Sequence, residues 1–218
     1  MLSWLKKIAP ARPSLDRRLA AYPPYEIPHP GPGQALTLDQ AQTNLDYLLA
    51  HRQARLAAFA ALLRDEAGID AAPALAGEDP AALLGALHTW LNQVLPPLLD
   101  RHPELTTAAR WLSSRRSGEE IVFSFLMDLA LLVGELIIVG RPSFSWKLDL
   151  DPRNRKDGMQ SWQRPVLIAH RPDGSQVELD IEEGAFFRFV QSRRSSALIN
   201  EWLTVVREAR AGGYDRAL

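Results

Sequence analysis

The chain contains no cysteine, which excludes disulfides, thiolate metal sites and a cysteine nucleophile and fits a reducing compartment. It also lacks an excess of charge of either sign. Twenty-five Lys/Arg face 26 Asp/Glu, for a formal net charge of −1. The balance holds along the chain: residues 1–110 carry ten basic against eleven acidic residues, and residues 111–218 carry fifteen against fifteen. A nucleic-acid binder normally shows a basic excess, so nucleic acid is not expected as a partner. The five histidines, at positions 29, 51, 88, 102 and 170, show no HxH, HxxxH or HExxH spacing, so no zinc site is predicted. There is no GxSxG elbow and no glycine-rich phosphate loop, and no cofactor is expected. The N-terminal stretch MLSWLKKIAPARP has no apolar core of signal-peptide type, so a cytoplasmic location is expected.

What is present is mostly apolar pattern. The run from Ile121 to Gly140, IVFSFLMDLALLVGELIIVG, approaches the length of a membrane span, but Asp128 and Glu135 would be costly in lipid. It is expected to be a buried core helix and not an integral membrane segment. Ser117-Gly-Glu-Glu120 ahead of it reads as a capping box marking its start.

Upstream, Leu2, Leu5 and Ile8 fall on one face of two possible helical turns, with Lys6 and Lys7 beside them, and Pro10 and Pro13 stop that helix. This segment is expected to pack on the protein's own core, with a docking arm for a partner or membrane surface as the alternative. Residues 22–33, YPPYEIPHPGPG, hold five prolines and two glycines, and are expected to lie as an extended strap anchored by their tyrosines and Ile27. Thr37-Leu-Asp-Gln40 is a capping box opening a long helix to about Glu66, with Gly68 as its C-cap. Leu38, Leu45, Leu49, Leu56, Phe59 and Leu63 form its apolar set, with Arg52, Arg55 and Arg64 outside it. A second helix starts at Asp79-Pro80 and ends near Pro96-Pro97, and a third runs from about Glu104 to Ser114.

Past Gly140 the period changes from 3.6 to 2. Phe144, Trp146 and Leu148 alternate with Ser145 and Lys147 as in a half-buried strand. A polar loop over 151–163 follows. PVLIAH and SQVELD then flank Arg171-Pro-Asp-Gly174 as a hairpin, and helices over 184–194 and 196–210 close the chain. The expected fold is α+β: a helical half packed on a small three-stranded antiparallel sheet with C-terminal helices. Residues 1–36 are an N-terminal extension and strap. Residues 37–218 form one domain, with its helical part at 37–140 and its sheet and closing helices at 141–212.

Two sets of residues are candidates for chemistry. Asp128 and Glu135 are seven apart, hence on one stripe of the helix about 10 Å apart by rise, with Ser124 beside them. Such a pair suits an acid/base couple or a divalent cation, giving a hydrolase-like or metal-dependent enzyme. The other assignment pairs each carboxylate with a neighbouring cation in the core. The second set lies where charge segregates. Residues 141–171 carry a local +4 and residues 178–183 a local −4. Glu135, Trp146, Lys147, Arg153, Arg155, Lys156, Trp162 and Arg164 form the candidate binding set, a basic loop with exposed aromatics suited to an acidic protein partner. Alternatively, the two charge blocks neutralise each other across neighbouring strands.

The block FLMDLALLVGELIIV, then SFSWKL, then a Pro-led strand, an RPDG turn and a short acidic strand resembles a pattern among uncharacterised bacterial proteins. It spans residues 120–185 and rests on Gly134, Glu135, Trp146 and Pro165. Some such proteins look like companions of toxin or secretion systems, including immunity proteins. The resemblance implies no catalytic residues. The expectation is a non-enzymatic protein-binding module, compatible with a homodimer.

Overall fold

A computed structural model describes residues 15–171, 173–193 and 200–215. The expected helix over residues 2–9, Pro172 of the hairpin turn and the start of the 196–210 helix lie outside them. In chain order the elements are α1 (Leu15–Leu19), α2 (Leu38–Ala67), α3 (Ala72–Leu75), α4 (Ala81–Arg101), α5 (Ala108–Ser113), α6 (Val122–Gly140), β1 (Ser145–Leu148), α7 (Pro152–Lys156), β2 (Pro165–His170), β3 (Gln176–Leu179), α8 (Ile181–Val190) and α9 (Glu201–Ala211). The protein is α+β, as the change of period predicts.

Helix α6 is the centre. Its composition would serve a membrane span, yet every residue from Val122 to Ile137 is buried, covered by α2, α8, α9 and β1. Ser117 does not cap it. Gly118–Glu120 form one 3-10 turn without a side-chain cap, and Glu120 instead accepts hydrogen bonds from Arg110 (2.9 Å) and Ser114 (2.7 Å). Competing partners on α5 and the loop after it thus hold the residue that a capping box needs.

The long helix α2 begins and ends where local chemistry says it should. Thr37 Oγ1 accepts from the Gln40 amide (3.3 Å), the Gln40 side chain accepts from the Thr37 amide (3.0 Å), and Gly68 closes the helix at φ 68°. Leu38 and Leu49 are not part of the buried face, being 52% and 42% exposed, whereas Arg55 is buried. Helix α4 runs through Pro96 and Pro97 to Arg101. Two missing N–H groups are tolerated because Leu95, Leu98 and Leu99 are all buried there, each worth about 1.5–3 kcal/mol. The expected third helix is split into a 3-10 turn at Pro103–Thr106 and α5, capped by Thr107.

The sheet is an antiparallel meander in the order β1-β2-β3, with Trp146 opposite Leu167 and Ile168 opposite Glu178. Phe144, Trp146 and Leu148 are buried and Lys147 exposed, which is the alternation of the sequence. Central β2 is buried on both faces, from Val166 to Ala169. Its hairpin closes with Gly174 N–H donating to the Arg171 carbonyl (2.9 Å). The loop expected over 151–163 contains α7, capped by Asp151.

The strap at 22–33 crosses α2 and α6. Tyr22 and Tyr25 belong to the core, the Tyr25 amide donates to Ser124 Oγ (2.7 Å), and the His29 backbone exchanges two hydrogen bonds with Asn44.

Candidate functional site

Burying a charge is costly unless it is paired, so the buried ions define the polar interior. Arg55, placed outside the apolar set by its charge, enters the core from α2 and holds Asp128 in a fork: Nε to Oδ1 at 2.8 Å and Nη2 to Oδ2 at 2.5 Å. Its Nη1 donates to the carbonyls of Pro23 and Pro24, and Tyr22 Oη donates to Asp128 Oδ2 (2.5 Å). Asp128 therefore ties the strap to α2 and α6. Ser124, one turn earlier, donates to the Arg116 carbonyl (2.6 Å).

A second cluster lies at the start of α8. Arg164 pairs with Asp180 (3.0 Å) and Glu182 (2.8 Å), and Arg116 pairs with Glu182 (2.7 Å). Trp111 Nε1 donates to Glu182 (3.0 Å), and the Arg164 guanidinium lies 4.3 Å from the centroid of the Trp111 ring. Burial works to raise the Glu182 carboxyl, but Arg116 and Arg164 outweigh it and hold the group below its usual value. Asp180 is raised, because burial exceeds the opposing pull of Arg164.

Glu135 is engaged separately. It accepts from Trp146 Nε1 (3.3 Å) and pairs with Arg52 (3.4 Å). The Trp146 ring fills the notch left by Gly134, where an added Cβ would lie 2.3 Å from Cζ2. Gly134, Glu135 and Trp146 are thus one packing unit joining helix to sheet. Asp128 and Glu135 share a helix stripe but serve different partners, and among the described residues no group of three His, Asp or Glu side chains is arranged to hold a metal.

The candidate binding residues sort by burial. Trp146 and Trp162 are buried, at 4% and 9% exposure, so the expectation of exposed aromatics is overturned. Arg164 is buried too and neutralised by the acidic block, the pairing that the two charge blocks allow. Lys147, Arg153, Arg155 and Lys156 are exposed. Arg153 folds back onto Asp151 (2.6 Å), and the Arg155 guanidinium stands 5.8 Å from the Trp162 centroid. Beneath this loop sits Asp149, fully buried and not singled out by the sequence. It accepts from the Asp151 amide (2.9 Å), Asn154 Nδ2 (2.9 Å) and Ser161 Oγ (2.6 Å). Two of these partners lie within five residues of it, but Ser161 is twelve positions away and nothing in the sequence marks Asp149 as buried.

Asp128 also gives the protein a pH signature. Burial, the largest influence, raises its carboxyl from 3.8 to about 6, against the hydrogen bonds of Arg55 and Tyr22. The folded chain then holds a proton where the unfolded chain has lost it. This group's contribution to stability therefore falls as pH rises from about 4 through 6. Asp128→Asn removes the titration. The stability difference, wild type minus variant, is expected to shrink between pH 4 and pH 7 by up to roughly 3 kcal/mol. Urea unfolding of both proteins across that range measures it, and a difference independent of pH would contradict the assignment.

The chain matches no family model, no curated protein and no solved structure.

Proposed function

We propose that the protein is a non-enzymatic protein-binding module that presents the α7 loop, residues 150–159, to an acidic surface on its partner. One observation carries this: an exposed loop is fastened from inside by a fully buried carboxylate, Asp149, with three hydrogen bonds. Outward, the same loop presents Leu150 and Met159, 45% and 47% exposed, beside Arg155 and Lys156. Apolar side chains, methionine and arginine suit an interface, and a pre-ordered loop lowers the entropy cost of binding. The buried carboxylates of α6 are taken up by Arg55, Tyr22, Arg52 and Trp146, which supports a structural role for them over an acid/base one. The sequence resemblance extends the proposal to an immunity-type or secretion-associated bacterial protein.

The test is the double charge reversal Arg155→Glu/Lys156→Glu, at exposed positions where the fold should tolerate it. A partner captured by the wild-type protein and reconstituted from purified components is expected to bind the variant at least tenfold more weakly, with wild-type affinity falling as salt rises. Equal affinity of both proteins for every captured partner would refute the loop's role.

A further inference from the structure

A groove of about 640 Å³ lies between the C-terminal end of α2 and one face of α4, within the size range of ligand sites. Ala86, Trp90, Val94 and Pro97 of α4 line it, together with Ala67 of α2 and Leu15 of α1. Gly85 also faces it. Glycine weakens a helix interior, and here no packing among the described residues asks for it: a Cβ at Gly85 would meet nothing within 4 Å. The space is open on the side where a close neighbour would benefit from the missing side chain.

The chain itself supplies a candidate occupant. Leu15, a wall of the groove, is preceded directly by residues 1–14, which carry Leu2, Trp4, Leu5 and Ile8. Ile8 and Leu15 are seven positions apart, a reach of up to about 25 Å. Gly85 and Arg101 are sixteen positions apart on α4, about 24 Å by helix rise, so the segment spans that face. A tethered segment also acts at an effective concentration of order millimolar, which favours it over a free peptide of equal affinity.

We propose that residues 1–14 dock in the α2–α4 groove of their own chain, with Leu2, Trp4, Leu5 and Ile8 covering α4 around Gly85. The groove is then an intrachain latch site, separate from the α7 loop and independent of its role.

The absence of cysteine allows a clean test in the full-length protein. Leu5→Cys is combined in turn with Ala86→Cys, Thr89→Cys or Gln93→Cys, all exposed on the described surface, and with Lys147→Cys on the sheet as control. Under mild oxidation, at least one α4 pair is expected to form a disulfide within the monomer ten times faster than the control, at a rate independent of protein concentration. Adding Gly85→Phe, whose Cβ would meet nothing within 4 Å and which puts a ring at the groove wall, is expected to slow that pair at least tenfold. The proposal is overturned if all three pairs react no faster than the control, or if Gly85→Phe leaves the rate unchanged. It is equally overturned if only disulfide-linked dimers form, which would assign the groove to a second copy.

Discussion

Arg164→Met is expected to destabilise the protein by about 3–5 kcal/mol, because it leaves the buried Glu182 and the partly buried Asp180 with one cation fewer between them. In a chain of this size that corresponds to a fall in Tm on the order of 10 °C. The desolvation cost of the carboxylates remains while the attraction that offset it is gone. Asp180 suffers most, since Glu182 keeps Arg116 and the Trp111 indole. Adding Asp180→Asn to Arg164→Met removes one of the stranded charges, and the double variant is expected to be more stable than Arg164→Met alone. Chemical denaturation of the four proteins in this cycle gives the coupling energy directly. Additive effects would show that Arg164 and Asp180 do not act as a pair.

The second large effect is expected at Gly134. Alanine is the better helix former by about 1 kcal/mol, so propensity alone predicts stabilisation. Packing predicts the opposite. The new Cβ would lie 2.3 Å from Trp146 Cζ2 and 3.1 Å from Cη2, in a ring that is buried and whose Nε1 is held by Glu135. Overpacking of this kind costs about 3 kcal/mol or more, so a net loss of about 2 kcal/mol is expected for Gly134→Ala. Trp146→Phe removes the part of the ring that clashes. In that background Gly134→Ala should be nearly neutral, by thermal or urea unfolding. An equal loss in both backgrounds would place the strain elsewhere.

These two positions show why the candidate site was only half legible. The Gly-Glu of α6 and the tryptophan of β1 stood out in the sequence as a pattern, and the structure joins them in one contact. The inference that tryptophans among basic residues are exposed failed, because the notch at Gly134 and the fold of the loop over Trp162 take both rings out of solvent. Lys147, Arg155 and Lys156 could be read as surface residues from their charge. Asp149 could not be read as the anchor of their loop, since nothing local distinguishes it from Asp151 two positions later.

The sequence by itself determined the change from helix to strand at Gly140, the Thr37 cap and Gly68 stop of α2, the inward face of β1 and the hairpin around Gly174. Each of these depends on side chains and backbone within a few residues of one another, so the determining interaction is written contiguously. Only the tertiary structure decided that Arg55 is inside, that Ser117 caps nothing and that α4 continues past two prolines. Arg55 meets Asp128 across 73 positions, and Glu120 is claimed by partners on another element. The prolines are outweighed by leucines whose burial exists only once the other helices are in place. Local geometry can be read from short-range patterns, whereas the burial of a charge is set by the partner that neutralises it, and that partner is brought near only by folding.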